Sequence, residues 1–400
     1  MQLNNNFHNK RAIIIFAINI PMMRKFFFIF IFLFFGQYLR AQTTVAGSFV
    51  HEGIERFYKI YVPELYDGLH PVPVVFNLHG LFVNADIQAQ VADFRPIADT
   101  AGFLIVLPDG ATESGYQSWN TGFSSSPADD VSFLEALIDT LAAHYKIDPS
   151  RIYATGYSNG GFMCYLLACS STRFAAVASV SGTMMNDHFN TCFPVSARPV
   201  MHIHGTSDNI VAYNGNIAMV SVADLMNRWV EIDSCQATCL TDSVPDIDPG
   251  DNVTAIHYIY SSNINSAGVE HFKIIGGGHT WPGSSFYLPF GASCNDFNAC
   301  TEIWRFFCKH ENPAYAGLSE MYHTSFFVYP NPVSDVINFS LSQDAIISVQ
   351  IFDLQGQMLY NRNVCHSNSE QISLAGLPSG IYFTRVAGVR GTFSMKFVKY

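Results

Sequence analysis

Apolar positions follow two different periods along this chain, and the change between them marks its elements. Val72-Pro73-Val74-Val75-Phe76-Asn77-Leu78 is a near-continuous apolar run, the pattern of a strand buried on both faces of a parallel sheet. Phe103–Leu107, Arg151–Thr155, Phe174–Val180, Pro199–Ile203 and His271–Ile275 read as further strands. Between them the period lengthens. Val131, Leu134, Leu137, Ile138 and Leu141 recur at helical spacing, with Asp129 or Asp130 as the N-cap, and Gly161–Cys169 and Thr301–Lys309 also read as helices. Arg56–Val62 alternates and stops at Pro63, as an edge strand does. The interleaving predicts an α/β architecture, a mostly parallel sheet flanked by helices. From Ser325 the period is two throughout: strands alternate through Ile347–Asp353 and return at Leu377–Phe383 after a turn. That spacing predicts a small β-sandwich. The expected organisation is an N-terminal extension with a leader over 1–41, an α/β domain over 42–311, a linker over 312–324 and the sandwich over 325–400.

Composition sharpens this picture at the first residues. Met22-Met23-Arg24-Lys25 is a short basic region, and Phe26 to Phe35 is an apolar run of ten residues, too short to span a bilayer comfortably. Leu39-Arg40-Ala41 ends on a small residue, so the segment reads as a signal peptide with the mature start near Gln42, no permanent membrane span and a secreted or cell-surface protein. Without residues 1–41 the chain carries 16 basic and 32 acidic side chains, a net charge of −16 that argues against nucleic-acid binding.

Nine cysteines in an exported chain make disulfides expected. Cys235 and Cys239, and Cys294 and Cys300, are close enough for local loop closure, while Cys169 with Cys192 could tie a helix to a later loop. Cys164 and Cys308 lie among apolar neighbours and read as small buried residues. No pair has the spacing and histidine partners of a zinc site, so neither metal nor cofactor is expected.

Five residues carry the strongest chemical signal. Gly156-Tyr157-Ser158-Asn159-Gly160 is a G-x-S-x-G element between a strand and a helix, where a serine is lifted above the sheet on a strained turn. Ser158 is the candidate nucleophile. An acyl-transfer site also needs two backbone donors for the developing oxyanion, one after the nucleophile and one from an earlier strand-end loop, and Asn159 and Leu81 occupy those places. His79, just before Gly80, reads as a loop anchor rather than the base. Asp208, past the strand in His204-Gly205-Thr206-Ser207-Asp208, is the candidate acid, and His279, after Gly276-Gly277-Gly278 read as a flexible hinge, the candidate general base. Trp119 and Trp281 are candidate aromatic platforms for a substrate ring or sugar.

Leu78-His79-Gly80, the Ser-Asn-Gly-Gly elbow, His204–Asp208 and Gly278-His279-Thr280-Trp281-Pro282-Gly283 together resemble the polyhydroxybutyrate depolymerase and feruloyl or acetylxylan esterase group of the α/β-hydrolases. The resemblance spans residues 50 to 310 and implies an extracellular serine esterase with Ser158, Asp208 and His279 as its triad, acting on feruloyl or acetyl esters of plant-wall polysaccharide or on a polyester. The Tyr-Pro-Asn-Pro opening at Tyr329, the Asp353–Gly356 turn, Leu377–Tyr382 and Lys396–Lys399 resemble the C-terminal sorting domain of the type IX secretion system. That likeness implies the type IX machinery as a partner and removal of the domain on export. A peptidase, or a non-catalytic sugar-binding protein on the same sheet, is the rival reading of the residues.

Overall fold

The computed structural model describes residues 42–113, 115–122, 127–262, 267–315, 326–342, 344–389 and 392–400. The leader and most of the expected linker lie outside them.

Among the described residues twelve strands precede residue 276: β1 (Thr43–His51), β2 (Ile54–Val62), β3 (Val72–Leu78), β4 (Leu104–Pro108), β5 (Ala111–Glu113), β6 (Tyr116–Ser118), β7 (Ile147–Tyr157), β8 (Ala176–Val180), β9 (Val200–Gly205), β10 (Leu240–Ser243), β11 (Thr254–Ser261) and β12 (Gly268–Ile275). Ten of them form one sheet in the order β1-β2-β4-β3-β7-β8-β9-β12-β11-β10, and β5 and β6 form a separate ribbon. From β4 through β12 the pairings are parallel, with antiparallel strands only at the two flanks. Helices cover both faces. Phe133, Leu137 and Leu141 from the helix Asp130–His144 join Val74, Phe76 and Ala154 in one core, and Ile303, Phe306 and Phe307 from Ala299–Phe307 join Val75, Tyr153 and Ile203 in the other.

The expected edge strand is a correction. β2 is not at the edge, because β1 pairs with it along its whole length through the two-residue turn Glu52-Gly53, both with positive φ. Such a turn matches the twist of the flanking strands, so Thr43–His51 folds back and takes the edge itself. Asp129 caps its helix by accepting from the Ser132 amide, as expected, but Asp130 has another task. It is buried in an ion pair with Arg56 at 2.6 Å and accepts the Asn120 amide at 2.7 Å.

The C-terminal strands are β13 (Phe326–Tyr329), β14 (Val336–Leu341), β15 (Ile346–Phe352), β16 (Met358–Ser367), β17 (Ser369–Ser373), β18 (Gly380–Gly388) and β19 (Thr392–Lys399). They pair as β13-β14-β17 and β16-β15-β18-β19 and enclose their own core of Ile337, Phe339, Val349, Ile351, Val386 and Phe397. This is the expected β-sandwich.

Among the described cysteines one disulfide forms, Cys169–Cys192 with Cα atoms 5.2 Å apart. The expected local pairs do not: Cys235, Cys239, Cys294 and Cys300 are thiols, and Cys294 Sγ donates to Asp296 instead. Cys164 and Cys308 are buried thiols, as expected.

Candidate active site

The elbow is legible in its burial. From Arg151 to Tyr165 every residue is buried except Ser158. It sits at φ 55° and ψ −117°, immediately before the helix Asn159–Ser170, a conformation that costs about 1–3 kcal/mol and persists only where the surroundings enforce it. They do so on both sides, since the Ser158 amide donates to the Val180 carbonyl at 2.9 Å and the Phe162 amide returns to the Ser158 carbonyl at 3.1 Å.

Asp208 and His279 leave the carboxyl ends of the neighbouring parallel strands β9 and β12, and β7 delivers Ser158 two strands away. Chemistry gathers at such strand ends because the loops there are free to vary while the sheet fixes their roots. His279 Nδ1 lies 2.7 Å from Asp208 Oδ2 with both side chains buried. The amides of Ile210 and Val211 donate to Oδ1 at 2.9 and 2.8 Å. Burial pushes the Asp208 carboxyl up, but hydrogen bonds from His204 and His279 outweigh it and hold the group well below the usual carboxylate range. An ionised acid on Nδ1 leaves Nε2 as the basic nitrogen. The His279 loop is tied to the elbow as well, because Tyr157 Oη donates to the His279 carbonyl at 2.7 Å and Ser181 Oγ to that of Thr280 at 3.2 Å.

The glycines before His279 are not a flexible hinge. A Cβ at Gly277 would stand 2.6 Å from Ile274 Cγ2, and one at Gly278 would stand 2.4 Å from the Phe290 carbonyl oxygen, so the small residues let chain pack against chain and hold the imidazole still.

His79 is the loop anchor the sequence suggested. The Gly110 amide donates to its Nε2 at 2.9 Å, so Nδ1 carries the proton and donates to the Gly80 carbonyl at 2.7 Å. Burial lowers its pKa to about 4, which keeps this tautomer neutral. Leu81 follows, half-buried, with Phe82 at φ 66° beyond it. On the other side of the elbow Asn159 is fixed by its side chain: Oδ1 accepts the Trp119 amide at 2.8 Å and Nδ2 donates to Thr121 Oγ1 at 2.9 Å.

The two tryptophans are corrections. Trp119 is 0% exposed, and its indole N–H donates to the His79 carbonyl at 2.9 Å, joining the Leu81 loop to the Asn159 side chain. Trp281 is 1% exposed; it edges a cavity of about 390 Å³ with Thr280, Ser284 and Tyr287 but offers no open face. Trp119 thus ties two loops together, and Trp281 packs edge to face against Phe94 and Tyr157. The apolar surface that is open lies elsewhere. Phe82, 65% exposed, meets Tyr116 edge to face at 4.6 Å, and Phe290, 45% exposed, lies edge to face with His279 at 6.2 Å. Sequence could not single them out, because nothing local tells an exposed phenylalanine from a core one. A larger cavity, about 740 Å³, is lined by Asn186, Asn214, Asp224, Arg228 and Glu231 and holds none of the three candidate catalytic residues. No group of three or more metal-ligating side chains clusters among the described residues.

Residues 57–246 match the family model described as Esterase PHB depolymerase. Residues 327–400 match the secretion system C-terminal sorting domain, which indicates type IX export to the cell surface or beyond. The chain is 27% identical over 229 residues to feruloyl esterase B of Piromyces equi, covering 54% of this chain and 41% of that one. It is 26% identical over 231 residues to a bifunctional acetylxylan esterase/xylanase of Neocallimastix patriciarum, covering 57% and 31%. The chain therefore spans less than half the length of either relative. Among solved structures, an acetyl xylan esterase from Aspergillus awamori aligns with 59% of this chain and 94% of its own at 14% identity and a TM-score of 0.46.

Proposed function

We propose that this protein is an exported serine esterase that cleaves carboxylic esters through Ser158, His279 and Asp208. The observation that carries the reading is a strained, singly accessible Ser158 at the end of β7 together with the buried Asp208–His279 hydrogen bond at 2.7 Å at the same end of the sheet, past β9 and β12. In this reading Ser158 Oγ adds to the ester carbonyl as His279 Nε2 takes its proton. The backbone amides of Leu81 and Asn159 stabilise the oxyanion, the second helped by its place at a helix N-terminus. Collapse expels the alcohol, which leaves with the proton from Nε2, and a water activated by the same nitrogen releases the acid and restores the serine. Asp208 keeps Nδ1 protonated throughout and is not itself protonated.

For substrate, we infer acetyl or feruloyl esters of plant-wall polysaccharide. The names of the two relatives support this, and the exposed rings of Phe82, Tyr116 and Phe290 offer an apolar surface for the acyl group. A polyester is the second reading, favoured by the description of the matching family. Ser158→Ala should fold, fail to react with a fluorophosphonate probe and lose several orders of magnitude in kcat on p-nitrophenyl acetate. Retained turnover would overturn the mechanism, and turnover of polyhydroxybutyrate film without turnover of methyl ferulate or acetylated xylan would reverse the order of substrates.

A further inference from the structure

Asp208 has a second partner on the oxygen that faces His279. His204 Nε2 lies 3.3 Å from Asp208 Oδ2 and 2.8 Å from the Val211 carbonyl, and both side chains are fully buried. A carbonyl oxygen only accepts, so Nε2 carries the proton. In neutral His204 the other nitrogen, Nδ1, is then an acceptor, and His202 Nε2, 3.1 Å away, must donate to it. By the same logic His202 Nδ1 accepts, and Tyr165 Oη donates to it at 2.7 Å. His202 and His204 stand two residues apart on β9 and so share one face of the sheet, while Tyr165 reaches them from the helix Asn159–Ser170 that Ser158 begins.

We propose that His204 is a positioning residue of the triad: it ends a one-way hydrogen-bond chain, Tyr165 to His202 to His204, whose last N–H is held on the Val211 carbonyl with Nε2 3.3 Å from Asp208 Oδ2, where its positive end limits the charge the carboxylate presents to His279. This rests on the esterase reading of the site. Other groups around the chain leave its direction intact. His271, on β12, has its Nδ1 3.0 Å from the His202 carbonyl and its Nε2 2.9 Å from Tyr213 Oη, and Tyr213 also meets the His204 ring edge at 5.8 Å. Lys273 lies over the Tyr213 ring at 5.5 Å, and Tyr258 stacks on His271. Burial holds His202 far below the usual imidazole range and takes His271 to about 3, so both stay neutral across the working range.

The sign of the effect follows from charge. The positive end of the His204 N–H beside Oδ2 offsets part of the carboxylate's negative charge; without it, that charge falls on His279 and stabilises the imidazolium. The acid limb of kcat/KM then moves to higher pH. The test compares wild type with His204→Phe, His204→Gln and Tyr165→Phe, using p-nitrophenyl acetate across pH and counting active sites with a fluorophosphonate. His204→Phe should lower kcat per titrated site by about tenfold, the scale of one hydrogen bond to a charged group, with KM unchanged and the acid limb raised. His204→Gln, which keeps a donor near the same place, should restore both. Tyr165→Phe should shift the limb the same way by less. An unchanged kcat and limb in His204→Phe, or equal changes in the Gln and Phe variants, would overturn the proposal. If His204→Phe does not fold, Tyr165→Phe decides: a raised limb supports the chain and an unmoved one overturns it. A wild type that neither labels nor hydrolyses removes the esterase reading and this inference with it, whereas a reactive wild type with unmoved variants removes only the latter.

Discussion

Replacing Gly160 by alanine tests whether the elbow and the Leu81 loop act as one rigid unit. A methyl group at position 160 would stand 2.2 Å from the Leu78 carbonyl oxygen and 2.7 Å from that of His79, where ordinary contact begins at 3.4 Å. The elbow and the end of β3 must therefore separate by about 1 Å, and neither side can yield by a rotamer change, because the atoms it meets are backbone. Relief moves the amides of Asn159 and Leu81, the two proposed oxyanion donors, relative to each other. Overpacking of a buried site costs about 1–3 kcal/mol of stability, and misplacing reacting groups by about 1 Å costs about 100-fold in rate. Gly376→Ala, where a Cβ meets nothing within 4 Å, is the matched control. Thermal melts together with kcat/KM on p-nitrophenyl acetate read both effects. If Gly160→Ala melted with wild type and kept kcat/KM within about threefold, the close contact would not govern donor placement, and the account of the oxyanion site would fail.

Three further outcomes are expected. Trp119→Phe keeps most of the ring but removes the donor to the His79 carbonyl, so it should lower stability by about 1–3 kcal/mol and reduce kcat with little change in KM; a raised KM at unchanged stability would restore Trp119 as a substrate contact. Buried Glu270 is held by His257 at 2.8 Å, Lys309 at 2.9 Å and Arg305, and these partners outweigh its burial and depress its pKa. A depressed carboxylate contributes stability above its unfolded value, about 4.3, and loses it as pH falls, so the melting gap between wild type and Glu270→Gln should be wide at pH 7 and close progressively below about pH 4; a gap constant with pH would refute this. Truncation after Leu318 should leave ester hydrolysis intact while stopping delivery outside the cell, and full export of the truncated chain would contradict a sorting role for the β-sandwich.

Much of the architecture and the candidate triad were legible in the chain itself, because both depend on local signals. A buried parallel strand must be apolar on both faces, so β3, β4, β7, β8 and β9 announce themselves by composition, and G-x-S-x-G has meaning only where a strand turns sharply into a helix. The order Ser158, Asp208, His279 follows from strands read one after another. What a side chain meets across the fold is not local. Trp119 and Trp281 lie in loops that look exposed, yet contacts with segments distant in sequence bury them, and Asp130 resembles a cap until Arg56 arrives from β2. The Glu52-Gly53 hairpin displaced the expected edge strand because two positive-φ residues suffice to fold β1 back. The Gly276–Gly278 run is equally permissive of a hinge and of close packing, and only the chain lying against it decided for packing. The donors behind Asp208 belong to the same class: His202 and His204 share a face because strands alternate, but which way the chain of protons runs was set by the Val211 carbonyl, a group that every residue possesses and that only the folded protein puts in place.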